Sequence, residues 1–175
     1  EAGQTDHPQR SCSNDVFFVR LCRDVIKALS EITADGQVFR VDMRLRPDGE
    51  NGPLVTSFDN MVGYYEIQGR EWERYAWIKA RAIAGDEKAV GRLFKRLRPF
   101  IYRRYLDFGA FDSLRDMKQK ISVEVKRKGL AHNIKLGPGG IREIEFIVQS
   151  MQLLRGGARP SLARPELLEG LPLLA

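Results

Sequence analysis

The sequence has few of the residues that carry catalysis or metal binding in many enzymes. Its two histidines, His7 and His132, lie far apart in the chain and predict no catalytic pair. Its two cysteines, Cys12 and Cys22, have no CxxC spacing. The absence of a disulfide framework fits a cytosolic protein. No nucleophile elbow, Walker lysine or GxGxxG spacing is present, so the commonest hydrolase and nucleotide-binding motifs are excluded.

Long hydrophobic runs are also absent. No apolar stretch approaches the roughly 20 residues of a membrane span, and the start of the sequence does not have the pattern of a signal peptide. The 175 residues are 43% hydrophobic and 30% charged, which is ordinary for a soluble globular protein. We therefore expect a cytoplasmic protein with no membrane partner.

Acidic residues are fewer than basic residues in this sequence. Lysine and arginine total 29 against 23 aspartate and glutamate residues, and the net charge of +6 predicts an anionic partner. Basic runs at positions 95–98, 103–104 and 126–128 are of a kind that usually forms solvated helix faces. A basic helical module that binds nucleic acid is the alternative function. Because no aromatic platform or recognition motif accompanies the runs, no nucleic-acid partner is expected.

The most informative segment is FRVDMRLRP at positions 39–47, in which apolar and charged residues alternate. Such alternation predicts a strand with one apolar and one charged face. The two faces are Phe39, Val41, Met43 and Leu45, and Arg40, Asp42, Arg44 and Arg46. One carboxylate among three arginines favours a polyanionic ligand with a metal ion between the anion and the acid. The alternative is a solvated edge strand whose charges prevent pairing.

Helical periodicity predicts most of the remaining chain. The predicted helices begin near Asn14 and then span residues 58–67, 71–84, 87–98, 112–128 and 141–154. We expect Ser57 and Asp86 as N-caps, and Gly129 just after the longest helix. The predicted class is α+β but mostly helical, with a strand-bearing domain over 1–56 and a helical bundle domain over 57–175.

Two features of the helical part are candidates for phosphate binding. Lys79 is the only charge on the inner stripe of the 71–84 helix, where it could reach a phosphate or extend past the apolar stripe to water. Gly139 and Gly140 precede the last helix, whose free N–H groups and dipole favour anions. The alternative for these glycines is an ordinary tight turn.

The last predicted helix is apolar over most of its surface. Its narrow polar stripe is expected to face either solvent or a cleft, and consists of Arg142, Glu145, Gln149 and Gln152. Glu143 lies in the first turn, where its charge suits the helix dipole. Cation binding is the alternative role for Glu143 or Glu145.

Several motifs together resemble one known family. They are FRVDMRLRP (39–47), GPLV (52–55), QGREWERYA (68–76), KAR (79–81), RRYLD (103–107), NIKLG (133–137) and GGIREIEFIVQ (139–149). The residues of these motifs and their order along the chain resemble those of the bifunctional glutamine synthetase adenylyltransferase/adenylyl-removing enzymes. The resemblance implies that residues 1–56 are the C-terminal part of a nucleotidyltransferase-fold domain, followed by a helical bundle. The motifs are similar to those of the N-terminal half of these enzymes. That half removes AMP from an adenylylated tyrosine by phosphorolysis and releases ADP.

The resemblance also implies a catalytic, metal-binding carboxylate at Asp42. In nucleotidyltransferase folds the Mg²⁺ site is completed by an Asp-x-Asp motif, which this sequence does not contain. We expect that motif before Glu1, and we expect the chain alone to be inactive. The implied partners are glutamine synthetase, a nitrogen-signalling regulatory protein, nucleotide and phosphate. The candidate nucleotide or phosphate contacts are Arg44, Arg46, Lys79, Gly139 and Gly140.

Overall fold

A computed structural model describes residues 11–102, 108–130 and 132–163. Within these ranges the chain is mostly helical, as predicted, and contains six α-helices and two short 3-10 helices. The α-helices are α1 (Asn14–Ser30), α2 (Phe58–Ile67), α3 (Glu71–Ile78), α4 (Glu87–Ile101), α5 (Phe108–Arg127) and α6 (Ile141–Arg155), and the 3-10 helices are Gly49–Asn51 and Pro160–Leu162. None of the helices in these ranges has the length and apolar content needed to span a membrane.

The chain divides into two compact units, Glu1–Tyr64 and Tyr65–Ala175. The predicted domain boundary, between residues 56 and 57, precedes α2, whereas this division lies within α2. The boundary stays a prediction.

In the first unit, α1 begins at Asn14, where its start was predicted. Ser13 is the N-cap, and its Oγ accepts a hydrogen bond from the Val16 N–H at 3.4 Å. The helix has no buried residue, although its apolar residues recur at helical spacing. Phe17, Leu21 and Val25, for example, all remain exposed in this structure.

The strand predicted around Asp42 is not formed, and that prediction is wrong for the described residues. Residues 39–44 have no regular secondary structure, and the described chain supplies no neighbouring strand with which they could pair. A single strand is not stable by itself, because its backbone N–H and C=O groups have no neighbouring strand with which to form hydrogen bonds. Phe39 and Leu45, from the predicted apolar face, are each 66% exposed. The α+β class is therefore not confirmed, and the nucleotidyltransferase fold stays a prediction.

The second unit is organised around α3, which contacts α4, α5 and α6. Its aromatic residues pack closely: the Tyr65 ring centroid lies 5.4 Å from that of Trp77 and 4.9 Å from that of Phe100. The buried apolar residues of this unit come from these four helices, from the end of α2 and from the last 3-10 helix. They are Tyr65, Ile78, Leu93, Leu97, Phe100, Ile101, Leu114, Val148, Leu153, Leu154 and Leu162.

Helix bounds agree with prediction where a local cap or turn residue sets them. Ser57 caps α2 through a 3.2 Å hydrogen bond from the Asn60 N–H, and Gly129, with φ of 65°, follows α5. Other bounds differ. α3 ends at Ile78 instead of Ala84, and α5 begins at Phe108 instead of Asp112.

Helix α4 continues past Pro99, where it was expected to stop. Proline removes one backbone donor from a helix interior. Phe100 and Ile101 beyond it are buried in the core of the second unit, so packing offsets that loss. One or two further helical turns are also predicted over residues 100–106, of which 103–106 lie outside the described residues.

Asp86→Ala should lower the free energy of unfolding by about 1 kcal/mol, because Asp86 is the N-cap of α4. Its Oδ1 accepts a hydrogen bond from the Ala89 N–H at 2.6 Å. Asp86→Asn keeps a side-chain oxygen at this position and should retain most of the stability. Urea denaturation of the three proteins checks this, and equal losses in both variants would reject the capping role.

Tyr75 links α3 to α6. Its hydroxyl lies 2.8 Å from Ser150 Oγ, and Ser150 in turn donates to the Phe146 carbonyl at 2.6 Å. Because the single Ser150 proton is used in that bond, Tyr75 is the donor to Ser150. The Tyr75 ring also stacks on Phe146 with centroids 5.5 Å apart. Burial raises the pKa of Tyr75 from 10.0 to about 12.

Tyr75→Phe should make the chain less sensitive to alkaline pH. A folded-state pKa above the ordinary value stabilises the fold fully below pH 10.0, and this contribution is lost as the pH rises to about 12. At neutral pH the variant should lose about 1 kcal/mol with the hydrogen bond. Unfolding free energies measured across this pH range check both effects. An unchanged alkaline slope in Tyr75→Phe would contradict them.

Candidate functional site

Asp42 and Arg44 form a tight ion pair in the first unit. Arg44 Nε lies 3.0 Å from each carboxylate oxygen, Arg44 Nη2 lies 2.5 Å from Oδ2, and the Arg44 N–H donates to Oδ1 at 3.0 Å. These bonds, with the charge of Arg40, lower the pKa of Asp42 to about 2. The Asp42 side chain is 43% exposed. The structure thus presents a fully ionised carboxylate at the surface of this unit.

Arg46 has a different position from the other arginines of the segment. Its guanidinium donates to three backbone carbonyls, those of Met43 at 2.5 Å, Glu50 at 3.1 Å and Gly52 at 3.3 Å. These bonds hold the loop after Asp42 in place, around the buried Pro47. No pattern in the sequence predicted this structural role. Phosphate binding by Arg46 stays a prediction.

The described residues do not complete a site for Mg²⁺. No group of three or more His, Cys, Asp or Glu side chains is close enough to hold a metal ion in this part of the chain. Asp42 offers one carboxylate, and both of its oxygens are engaged by Arg44. A hard divalent cation needs several oxygen ligands. The described residues therefore do not hold the ion on their own, and Mg²⁺ binding stays a prediction.

Lys79 lies at the C-terminus of α3, not on an inner helical stripe. It is the C-cap residue, and its Nζ lies 2.6 Å from Glu145 Oε1 on α6. The side chain is 46% exposed. Its ammonium group is therefore held at a fixed point of the second unit, close to solvent. Phosphate binding by Lys79 stays a prediction.

The glycine turn before α6 binds a carboxylate of the protein itself. The Gly139 N–H donates to Glu143 Oε2 at 2.6 Å, and Lys118 Nζ lies 3.0 Å from Glu143 Oε1. The Gly139 hydrogen bond, and then Lys118, lower the pKa of Glu143. The Gly140 N–H donates to the Gly137 carbonyl at 3.0 Å. A phosphate at Gly139 or Gly140, as predicted, would have to displace these internal partners.

The polar stripe of α6 is divided. Gln149 and Gln152 are buried, whereas Arg142 at the other end is exposed. The sequence predicted solvent or a cleft for the whole stripe. A set of large apolar residues on the same helix is exposed instead, namely Ile141, Ile144, Ile147 and Met151.

The structure thus places the predicted site residues in two separate groups. Asp42, Arg44 and Arg46 belong to the first unit, and Lys79 and the Gly139–Gly140 turn belong to the second. Within the second unit, Lys79 and the glycine turn are each paired with a glutamate of α6, Glu145 and Glu143 respectively.

Two family profiles match different parts of the chain. The profile of the family Glutamate-ammonia ligase adenylyltransferase matches residues 1–97. A second profile, GlnD PII-uridylyltransferase, matches residues 115–175.

Curated relatives match the whole length of this chain. The bifunctional glutamine synthetase adenylyltransferase/adenylyl-removing enzyme of Nitrosococcus oceani is 59% identical over 175 residues, covering 100% of this chain and 18% of the relative. The enzymes of that name from Pseudomonas aeruginosa and Shewanella oneidensis are 58% and 55% identical over 99% and 95% of this chain. The chain spans about 18% of the length of each. The resemblance found in the motifs is confirmed, and this chain belongs to the glutamate-ammonia ligase adenylyltransferase family.

Proposed function

We propose that this chain is part of an enzyme that regulates glutamine synthetase by reversible adenylylation, and that it contributes to removal of the adenylyl group. The observation that carries the proposal is the match to bifunctional adenylyltransferase/adenylyl-removing enzymes, 59% identical over the full chain. Asp42, an ionised carboxylate flanked by arginines, also supports the proposal. Glutamine synthetase, a nitrogen-signalling regulatory protein, nucleotide and phosphate are its proposed partners.

The proposed reaction is phosphorolysis of adenylylated tyrosine. An oxygen of inorganic phosphate forms a bond to the phosphorus of the tyrosine-linked AMP, and the bond from that phosphorus to the tyrosine oxygen breaks. ADP is released, and the tyrosine oxygen takes up a proton. Two anions must approach each other in this reaction, and a cationic side chain beside them, such as that of Arg44, reduces the repulsion between them.

The proposed activity needs more than the residues of this chain. Asp42 is one carboxylate, whereas a metal-dependent nucleotidyl transfer needs several ligands around its ions. The relatives are several times longer than this chain, which spans 18% of the Nitrosococcus oceani enzyme. We propose that the remaining ligands come from a longer protein and that the chain alone is inactive.

A chimera tests the proposed function. In it, this chain replaces the matching segment of the Nitrosococcus oceani relative, with which it shares 59% of its residues. Incubated with adenylylated glutamine synthetase and inorganic phosphate, the chimera should release one ADP for each AMP removed. A folded chimera that attaches AMP normally but releases no ADP would reject the assignment to the removing reaction.

Lys79→Ala, introduced into the same chimera, should raise the KM for inorganic phosphate about tenfold, because one charge-assisted contact is lost. Lys88→Ala, on the exposed face of α4, is the control and should leave the KM unchanged. Glu145→Gln removes the partner of Lys79 but keeps its positive charge. If Lys79→Ala and Glu145→Gln lower only the thermal stability and not phosphate binding, Lys79 is a structural residue.

A further inference from the structure

The second unit contains a cavity of about 400 Å³ between α3 and α4. Its walls include three aromatic rings, those of Trp77, Phe94 and Tyr102, and two cationic side chains, Lys95 and Arg98. Small-molecule sites in proteins have volumes of about 300 to 1,000 Å³ and combine apolar walls with a few polar groups. The cavity has the size and lining of such a site, and none of the candidate residues considered above lines it.

The charge of the cavity has a single sign. No aspartate or glutamate is among its described lining residues, so Lys95 and Arg98 act on a bound molecule without a carboxylate in the wall beside them. Arg98 is oriented by two contacts: its guanidinium carbon lies 5.4 Å from the Tyr102 ring centroid, and its Nη2 donates to the Gly156 carbonyl at 3.4 Å. Lys95 lies one helical turn before it on the same face of α4.

The aromatic wall is fixed by packing. Trp77 makes edge contacts with Tyr65 and Phe94, at centroid distances of 5.4 Å and 5.7 Å and interplanar angles of 89° and 82°. A tryptophan held between two rings has lost most of its rotational freedom before a ligand arrives, so little ordering cost remains for binding. Stacking of a flat heterocycle on such a side chain is favourable, because every such ring has a π-face.

From these features we propose that the cavity binds an organic anion that carries a flat ring. The rings of Trp77, Phe94 and Tyr102 contact the flat part of the ligand, and Lys95 and Arg98 bind its anionic group. Inorganic phosphate has no ring to stack, and an uncharged heterocycle leaves the two cations without a partner. The residues that line this cavity are not among those assigned to the proposed reaction.

The test uses the 175-residue chain itself, with ADP as the probe. Trp72→Phe leaves Trp77 as the single tryptophan, because the chain has two. Quenching of its fluorescence then reports on the cavity, and isothermal titration gives the Kd. ADP should quench Trp77 and bind in the micromolar to submillimolar range. Adenosine and inorganic phosphate should each bind at least about tenfold more weakly.

Two double variants with the same change in composition separate the cavity from general charge. Lys95→Gln with Arg98→Gln should weaken ADP binding at least about tenfold. Lys88→Gln with Arg92→Gln removes the same charges from the exposed part of α4 and should weaken it less than about twofold. If thermal melting shows that the Lys95→Gln/Arg98→Gln variant is unfolded, ADP binding is measured for Lys95→Gln alone.

Any one of four results would overturn the proposal. ADP could fail to bind the chain, both double variants could lose binding equally, or phosphate alone could bind as tightly as ADP. Loss of ADP binding in Lys79→Ala with full retention in Lys95→Gln/Arg98→Gln would place the nucleotide at Lys79. That last result would support the proposed function and reject the cavity, so the two ideas fail separately.

Discussion

Asp42→Asn in the chimera should lower the rate of ADP release by about two to three orders of magnitude, the range found when one electrostatic group of a catalytic site is removed. The substitution keeps the size of the side chain but removes its negative charge. In this structure the charge is secured by Arg44, which holds the pKa of Asp42 at about 2. Asp42 is therefore ionised at any pH at which the enzyme would work, and Asn cannot replace it as an anionic ligand.

The fold should survive this change. The Asp42 side chain is 43% exposed, and its ion pair joins residues two positions apart, so it holds no distant elements together. Exposed pairs of this kind contribute little to stability. Circular dichroism and thermal melting of the Asp42→Asn chimera should match those of the parent chimera.

Asp48→Asn is the matched control. Asp48 is an exposed aspartate of the same unit, with φ of 59° and no side-chain capping bond. Asn tolerates the left-handed region at least as well as Asp, so the backbone is not strained. The control should leave ADP release unchanged. If Asp42→Asn also leaves it unchanged, Asp42 is not a catalytic ligand.

Gly69→Ala should lower the free energy of unfolding by about 1 to 3 kcal/mol, which is the range for overpacking a core. A Cβ at position 69 would lie 2.4 Å from Phe100 Cε2 and 2.6 Å from the Tyr65 carbonyl oxygen. The Phe100 ring has little room to move, because it lies 4.9 Å from the Tyr65 ring and carries the Arg74 guanidinium 4.3 Å from its centroid. The cost is therefore steric.

Gly91→Ala provides a control of the opposite sign. Gly91 lies in the middle of α4, and a Cβ there would meet nothing within 4 Å. Replacing an exposed glycine in a helix by alanine should raise the free energy of unfolding by about 0.5 to 1 kcal/mol. Chemical denaturation of both variants of the chain measures the contrast. A Gly69→Ala protein as stable as Gly91→Ala would show that the Phe100 contact is not tight.

Local signals in the sequence predicted the helices well. Asp86 and Ser57 are strong N-cap residues, and a glycine such as Gly129 ends a helix because it adopts positive φ freely. These signals are local and act whatever the rest of the fold does. The bounds of α2 and the start of α4 followed from them.

Non-local features were not predictable in the same way. Alternation around Asp42 indicated a strand, but pairing depends on a neighbour that the described chain does not supply. The end of α3 at Ile78 was missed because the apolar spacing continues to Ile83, and Ile83 is 84% exposed in the structure. Periodicity shows which residues could share a face, and only packing decides whether they do.

The sequence was enough to select candidate site residues, but it did not predict which side chains they contact. The alternating segment singled out Asp42 and the helical stripe singled out Lys79, but the pairing of Lys79 with Glu145 joins positions 66 residues apart. The cavity wall likewise combines Trp77 of α3 with Phe94, Lys95 and Arg98 of α4. One pattern in the sequence is consistent with the α4 side of this cavity. Phe94, Lys95, Arg98 and Tyr102 recur at helical spacing, a pattern equally typical of an ordinary amphipathic helix.

The proposed function depends on one claim, that Asp42 and its neighbours are one part of an adenylyl-removing site that a longer chain completes. Its most direct test is ADP release from adenylylated glutamine synthetase and phosphate, measured side by side for the 175-residue chain and for the chimera. We predict steady release by the chimera and none by the chain alone. Normal turnover by the chain alone, or an inert but folded chimera, would contradict the claim.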